Sequence, residues 1–345
     1  MTVVKPLCAL LILTLTTAVG GCDLNREVLI SGETMGTTYH IKVVTRLFQR
    51  TGGLDQKIKR RLEQINHSMS TYRPDSEISR FNTHVQRGEK VAVSTDFLRV
   101  LSAARKLHRL SGGAWDPTVR PLVHLWGFDG PSDQRTVPAE GRIAALLPQI
   151  GFGQIDIDQA GYLVKNGDQV SLDLASIAKG YGVDAVSALL KGEGFADFLV
   201  EIGGEIYASG RRRDGRYWRI GINQPRRDAA PDRVRRVVAL ENRALATSGD
   251  YRNYFRQKGR YYSHVLDPRS GYPVANGVVS VSVLAPSCTL ADGLATALMV
   301  MGAKHGLALV DRLDLVEVLV VVQNPDGTLT DFSSNGFRTD EGMGQ

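Results

Sequence analysis

The stretch from Ala285 to Gly302 constrains the fold most, because a helix signal and a pair of awkward oxygens share it. Leu294, Ala295, Leu298 and Met299 make it mostly apolar, and Gly302 is placed to end it. Asp292 and Thr296 stand four residues apart, so on a helix both side chains project from one face. A carboxylate and a hydroxyl against a buried helix are costly unless something satisfies them. A hard cation such as Mg2+ does so, since it prefers oxygen ligands and shares them with a phosphate-bearing substrate. The alternative is local: Asp292 in a first turn favoured by the helix dipole, and Thr296 bonded back to its own helix.

A chain of 345 residues can bury a large core, and 43% hydrophobic with 23% charged residues is a globular composition, not a disordered one. Its beginning differs. Lys5 precedes an apolar run from Pro6 to Val19, too short for a comfortable membrane span and suited to a secretory signal. Val19-Gly20-Gly21-Cys22 resembles a bacterial lipobox, which implies cleavage before Cys22 and acylation of its sulfur. Asp23 resembles the residue that keeps such lipoproteins at the inner membrane, so the expected location is its periplasmic face, with the chain lipid-anchored. The expected boundaries are a signal peptide over 1–21, a tether over 22–28, one domain over 29–332 and a loose polar tail over 333–345.

Of three cysteines, Cys8 leaves with the signal and Cys22 is acylated, so Cys288 stands alone. Neither an internal disulfide nor a thiolate metal site can then form. The processed chain keeps 41 basic against 36 acidic residues, a formal charge of +5. Basic clusters at Arg211-Arg212-Arg213, Arg226-Arg227 and Arg233 to Arg236 suit solvated loop faces, or anionic head groups near the anchor. An exported lipoprotein has little occasion to meet nucleic acid, and no such partner is expected.

Read in order, Glu27 to Ile30 and Thr37 to Val44 alternate as strands around an interruption at residues 31–36. Helical spacing follows over Leu54 to Met69, then an irregular loop from Ser70 to Asn82, then a second helix from Thr95 to Ser111. Pro117 and Pro121 predict a loop entering a short helix; a surface loop over 130–140 and a helix over 142–150 come next. Ile155 to Ile157 and Tyr162 to Val164 read as a hairpin. Val170 to Leu174 reads as a short strand feeding a helix that runs to Leu190. Strands over 198–202, 206–208, 217–222, 236–240 and 244–247, joined by short turns, predict a mainly antiparallel sheet, with later strands over 261–266, 278–284 and 315–322. With no repeat and no Pro- or Ser-rich linker, the pattern predicts one α+β domain with helices packed on antiparallel strands.

Several familiar machines are missing: no phosphate-binding Gly-rich loop ending in Lys-Ser/Thr, no His-Glu-x-x-His, no complete Gly-x-Gly-x-x-Gly and no Gly-x-Ser-x-Gly. Asp173 and Lys179 instead straddle the start of a helix. Together they can hold an anionic phosphate and take a hydrogen bond from a ring or ribose, or serve merely as a cap and a surface lysine. His264 can act as a general base or sit as a hydrogen-bonded strand histidine, with Asp250 and Asp267 as rival acids nearby in sequence.

Thr34-Met35-Gly36-Thr37, Tyr72, Ala114-Trp115-Asp116-Pro117, Leu125-Trp126-Gly127, Asp173 to Asp184, Gly203-Gly204-Glu205, Ala246 to Tyr251, His264 to Arg269 and Ala291 to Thr296 occur in one order across nearly the whole processed chain. The ordered set resembles the ApbE family, FAD:protein FMN transferase. The resemblance implies a T-fold-like α+β domain and a Mg2+-dependent transfer of FMN from FAD to a Thr or Ser hydroxyl, with release of AMP. It implies as acceptors the redox subunits of membrane electron-transport complexes. Carried over residue by residue, Met35 and Tyr72 contact the isoalloxazine, while Ala114, Trp115, Asp116, Asp173, Lys179 and Val265 line the rest of the FAD site. Ser176, Asp292 and Thr296 ligate Mg2+. Ser176 stands where the family offers a backbone oxygen from alanine or threonine, and Trp115 where it has a smaller apolar residue. An FAD pyrophosphatase that lets water attack, or a flavin-binding lipoprotein without turnover, are the competing readings; a metal at the diphosphate speaks against the second.

Overall fold

The computed structural model describes residues 25–46, 48–131, 133, 135–158, 161–226, 233–250 and 253–340. The expected signal peptide over 1–21, the acylation site Cys22, Arg227, Tyr251 and residues 341–345 lie outside them.

Strands β1 (Arg26–Thr34) and β2 (Thr37–Thr45) form a hairpin whose turn residues, Met35 and Gly36, have φ of 51° and 70°. Two positive φ values match the twist of paired strands. That turn lets β1 run through residues 31–34, where an interruption is expected, and draws Arg26 to Val28 out of the expected tether into the sheet. Helix α1 (Leu54–Met69) buries the expected stripe of Leu54, Ile58, Leu62 and Ile65. The expected loop over 70–82 contains instead the start of α2 (Glu77–His84), capped by the Ser76 hydroxyl, which accepts the Ser79 N–H at 3.1 Å.

Next come β3 (Lys90–Ala92), α3 (Thr95–Leu110), α4 (Arg120–Leu125), α5 (Glu140–Leu146), β4 (Ile155–Ile157) and β5 (Tyr162–Lys165). The segment Val170–Leu174 alternates in burial as a strand does, but among the described residues it pairs with no strand. The Asn82 side chain takes both polar groups of Leu172, accepting its N–H at 2.7 Å and donating to its carbonyl at 2.9 Å. A side-chain amide can mimic a neighbouring backbone, so the hydrophobic pattern survives without a ladder.

Helix α6 (Ala175–Gly192) is followed by β6 (Phe198–Ile202), β7 (Glu205–Ser209), β8 (Trp218–Asn223), β9 (Val234–Leu240) and β10 (Arg243–Gly249). Then come β11 (Tyr254–Gln257), β12 (Arg260–Ser263), β13 (Val278–Ala285), α7 (Cys288–Val310), β14 (Glu317–Gln323) and β15 (Leu329–Ser333). Eight strands make one sheet in the order β1-β2-β6-β7-β10-β13-β14-β15, and every neighbouring pair is antiparallel. The mixed α+β architecture with a mainly antiparallel sheet is therefore as expected.

One face of the sheet buries Ile41, Val200, Ile202, Val281 and Val283 in a core shared with α1, α3, α6 and α7. The other buries Val44, Leu199, Leu245 and Leu319 against Trp218, Ile222, Val238 and Leu240 of the β8–β9 hairpin. Helix α7 is long and apolar enough to cross a membrane, yet most of it is buried between α6 and the sheet, as suits a core helix. It does not end at Gly302. That residue, at φ 77° and ψ 167°, breaks the helical geometry, and the chain resumes it to Val310. The expected loose tail is also packed as far as residue 340. Ser334 bonds to the Val318 N–H, Phe337 is buried beside the β8–β9 hairpin, and the Asp340 N–H reaches the Val237 carbonyl at 2.8 Å.

Candidate active site

The site depends on how closely α6 and α7 approach. Gly180 permits it: a Cβ there would lie 2.4 Å from the Cys288 carbonyl oxygen and 2.8 Å from the Asp292 Cβ. Asp184, one turn further along α6, accepts the Cys288 and Thr289 N–H groups at 2.8 Å each and so caps α7 from its neighbour. With the helices held together, Asp292 is buried and its Oδ2 accepts the Gly180 N–H at 2.9 Å. In a regular helix that amide closes onto the Ser176 carbonyl, so Asp292 competes for the donor of another expected ligand. Thr296 Oγ1 lies 3.0 Å from the hydroxyl of Ser248 on β10. Thr296 does not simply bond back to its own helix.

Beside this group, Lys179 pairs with Glu205 at 2.6 Å. Glu205 is the first residue of β7, only 3% exposed, and follows the Gly203-Gly204 turn with φ of 60° and 103°. Burial pushes its carboxyl up to about 8, with the Asp292 charge adding to the rise and Lys179 opposing it. Asp292 is pushed up to about 6 by burial, again against Lys179. Burial works against the Lys179 charge, but Asp292 and Glu205 outweigh it and hold the ammonium above its usual range. Two buried carboxylates thus share one cation.

Among the described residues no three or more His, Cys, Asp or Glu side chains cluster as a metal site. The donors present are one carboxylate with hydroxyl and backbone oxygens, which is chemistry that fits a hard ion completing its shell with water and phosphate. The unbalanced negative charge beside Lys179 fits it as well.

His264 is half-buried and its Nδ1 lies 2.9 Å from the Asn253 carbonyl. A carbonyl only accepts, so Nδ1 carries the proton and the Nε2 lone pair is left to act as a base. Burial, more than the nearby Arg135 charge, moves its pKa below the ordinary value and keeps the ring neutral.

One cavity of about 800 Å³ is lined by Tyr72, Ala114, Trp115, Asp116, Asp173, Ser176, Lys179, His264, Val265, Asp292 and Thr296. The chain supplies them from stretches far apart in sequence. Tyr72 is 86% exposed at the rim, where a ring can close over a bound one. The indole N–H of Trp115 donates to the Ser176 hydroxyl at 3.0 Å, so the two residues that depart from the family pattern are bonded to each other. Burial raises the pKa of Asp173, whose Oδ1 accepts the Ala175 N–H at 2.8 Å.

Asp116 lines the cavity, but its carboxylate is turned into the protein. It accepts the Thr118 N–H and Phe152 N–H at 2.8 and 3.0 Å and lies 3.1 Å from His108 Nδ1, so it braces the loop that carries Ala114 and Trp115.

Met35, Asp250 and Asp267 do not line this cavity. Met35 lies on the hairpin turn against Gly182, and the Asp267 carboxylate is held by Arg269 through two bonds of 2.8 Å. The Asp250 N–H is bonded to the Val279 carbonyl at 3.2 Å. Sequence spacing gave no role to Glu205 or Ser248, which also line the cavity. For Glu205 a signal exists: an acid follows a Gly-Gly turn and opens a strand otherwise made of residues that bury.

A buried carboxylate with neighbouring hydroxyls, a fixed lysine and a neutral histidine around one large cavity define a site for moving a phosphate-bearing group within an α+β domain. The chain belongs to the ApbE family: the family model of that description matches residues 35–320. It is 44% identical over 324 residues to the FAD:protein FMN transferase of Vibrio cholerae serotype O1, covering 92% of this chain and 94% of that one. The corresponding protein of Haemophilus influenzae is 36% identical over 339 residues, 96% of each chain. Among solved structures, the flavin transferase ApbE from Vibrio cholerae superposes with a TM-score of 0.82 at 43% identity, covering 91% of this chain and 98% of that one. The apo flavinyl transferase ApbE of Pseudomonas stutzeri gives 0.81 at 38% identity, covering 90% and 95%.

Proposed function

We propose that the chain is an FAD:protein FMN transferase that uses Mg2+ to move FMN from FAD to a Thr or Ser hydroxyl and releases AMP. The observation that carries this reading is the convergence of Asp292, Thr296, Ser176, Lys179 and His264 on one cavity. Asp292, Thr296 and the Ser176 turn would hold the ion, which when bound supplies charge neutralisation at the diphosphate oxygens.

Lys179 adds a second positive charge on the same wall. Its ion pair with Glu205 keeps the flexible stem from wandering, and its ammonium hydrogens can reach phosphate oxygens. Tyr72 presents a flat surface for ring stacking, buried Trp115 backs the cavity wall, and Asp173 offers its second oxygen to a ring or ribose donor. The acceptor hydroxyl gives its proton to His264 Nε2 as its oxygen bonds to the FMN phosphorus, and the phosphoanhydride bond to AMP breaks. The acceptor is a redox subunit of a membrane electron-transport complex. The enzyme meets it while anchored through acylated Cys22 at the periplasmic face of a bacterial inner membrane.

Incubation with FAD and Mg2+, with and without an acceptor protein bearing the target hydroxyl, tests the reading by AMP release. AMP that appears only with the acceptor is expected. Equal AMP without it marks the chain as an FAD pyrophosphatase, and no AMP in either case marks a flavin-binding protein.

A further inference from the structure

The chain enters its fold beside an exposed aromatic loop. Arg26 opens β1 and is paired with Thr45, the last residue of β2, so the loop after Thr45 begins where the chain arrives from Cys22. Cys22 precedes Arg26 by four residues. At about 3.3–3.6 Å per residue, its Cα can stand no more than roughly 15 Å from that strand end.

The loop places Phe48 in solvent with 90% of its surface accessible, between the exposed Arg46 and Arg50. It is held in that shape. Gln49 Oε1 accepts the Arg46 N–H at 3.1 Å, and Gln49 Nε2 donates to the Gly194 carbonyl at 3.1 Å. Phe48 has φ of 67°, a conformation that is costly for a bulky side chain and here returns no packing within the protein. The nearby acids are otherwise engaged: Glu27 pairs with Lys42 and Glu193 with Lys57. Arg26, Arg46 and Arg50 have no carboxylate partner among the described residues.

We infer that this loop is a membrane contact: Phe48 seats at the boundary between head groups and acyl chains, with Arg26, Arg46 and Arg50 on the phosphates of an anionic bilayer. The inference rests on the proposed anchor at Cys22. An aromatic ring flanked by arginines is the composition that settles at such an interface. Alone, one ring and three charges bind weakly, but a tether a few residues away makes the encounter intramolecular. Two points of attachment, lipid and loop, then fix which end of the sheet faces the membrane.

The three native tryptophans, Trp115, Trp126 and Trp218, are all buried and shielded from lipid, so Phe48→Trp adds one exposed indole. The full chain, processed by the cell and reconstituted into phosphatidylglycerol vesicles with brominated acyl chains, gives the test. The F48W protein is expected to shift its emission to shorter wavelength and to lose intensity beyond the unsubstituted protein. Adding Arg46→Glu and Arg50→Glu is expected to reverse part of that loss. The mass of the peptide beginning at Cys22 reports separately on the anchor. Acylated Cys22 with quenching no greater than background overturns the loop contact and leaves the anchor standing. An unmodified Cys22 overturns both.

Discussion

At the scale of single residues, the site is a problem in charge. Asp292 and Glu205 are both buried, and among the described residues Lys179 is the counter-charge beside them. Removing Asp292 leaves Lys179 with Glu205 and deprives the proposed ion of its one carboxylate. Asp292→Ala is therefore expected to lower kcat by about 10²–10³-fold, the usual loss when a main electrostatic stabiliser goes. The circular dichroism spectrum should stay the same, and undiminished turnover would refute the metal role.

His264 has a different signature. As a base it must be neutral, and burial sets its pKa below the ordinary histidine value. The acidic limb of kcat/KM should then fall below about pH 6.5, and His264→Gln should remove that limb with a loss of about 10²–10⁴-fold. A limb unchanged in the variant would assign the proton to another group.

At the scale of elements, the spacing of α6 and α7 governs the site, and a single missing Cβ sets it. Gly180→Ala would drive a methyl group into the Cys288 carbonyl, which is backbone and cannot rotate away. The expected cost is about 1–3 kcal/mol of stability, read from urea unfolding. A further sign is a KM for FAD that rises more than stability alone explains, because Asp292 moves with α7.

The elements also show what sequence can reveal. Helices α1 and α3 were legible because their apolar residues repeat at the helical period over sixteen residues each. Strands β3, β11 and β15 were not, since short half-exposed strands lack alternation and exist only through their partners. Val170–Leu174 shows the converse: its alternation is genuine, but a single Asn side chain takes the place of a neighbouring strand. Gly302 carries a helix-stop signal that tertiary packing overrides, leaving a break within α7 in place of an end. The inward turn of Asp116 and the pairing of Lys179 with Glu205 are contacts between distant segments, and no local spacing encodes them.

At the scale of the whole molecule, the buried charges make stability depend on pH. Glu205 and Asp292 have folded pKa values above their ordinary ones, about 8 and about 6, so the folded chain holds more protons than the unfolded one through that range. Their contribution is complete in acid below their ordinary pKa values and is lost as the pH rises through the folded values. His108 acts in the same sense, since its bond to Asp116 outweighs burial and raises its pKa. Its share is complete below about pH 6.5 and is lost above the raised value. His264 works in the opposite sense, because burial lowers its pKa and its contribution is lost as the pH falls through its ordinary value, but it is one group against three. Asp96, held low by Arg61, stays ionised throughout. Metal-free protein should thus melt at a lower temperature at about pH 8.5 than at about pH 5.5, with Mg2+ raising the Tm more at the higher pH. A Tm that does not fall between those two conditions would contradict the arrangement of charges.

The central claim is that flavin leaves FAD and becomes covalently attached to another protein. The most direct measurement mixes the enzyme with FAD, Mg2+ and an acceptor domain, then images flavin fluorescence on a denaturing gel. The account predicts a fluorescent acceptor band, matched by an equal amount of AMP and forming about 10²–10³-fold more slowly with Asp292→Ala. A dark acceptor band, with or without free AMP, would contradict it.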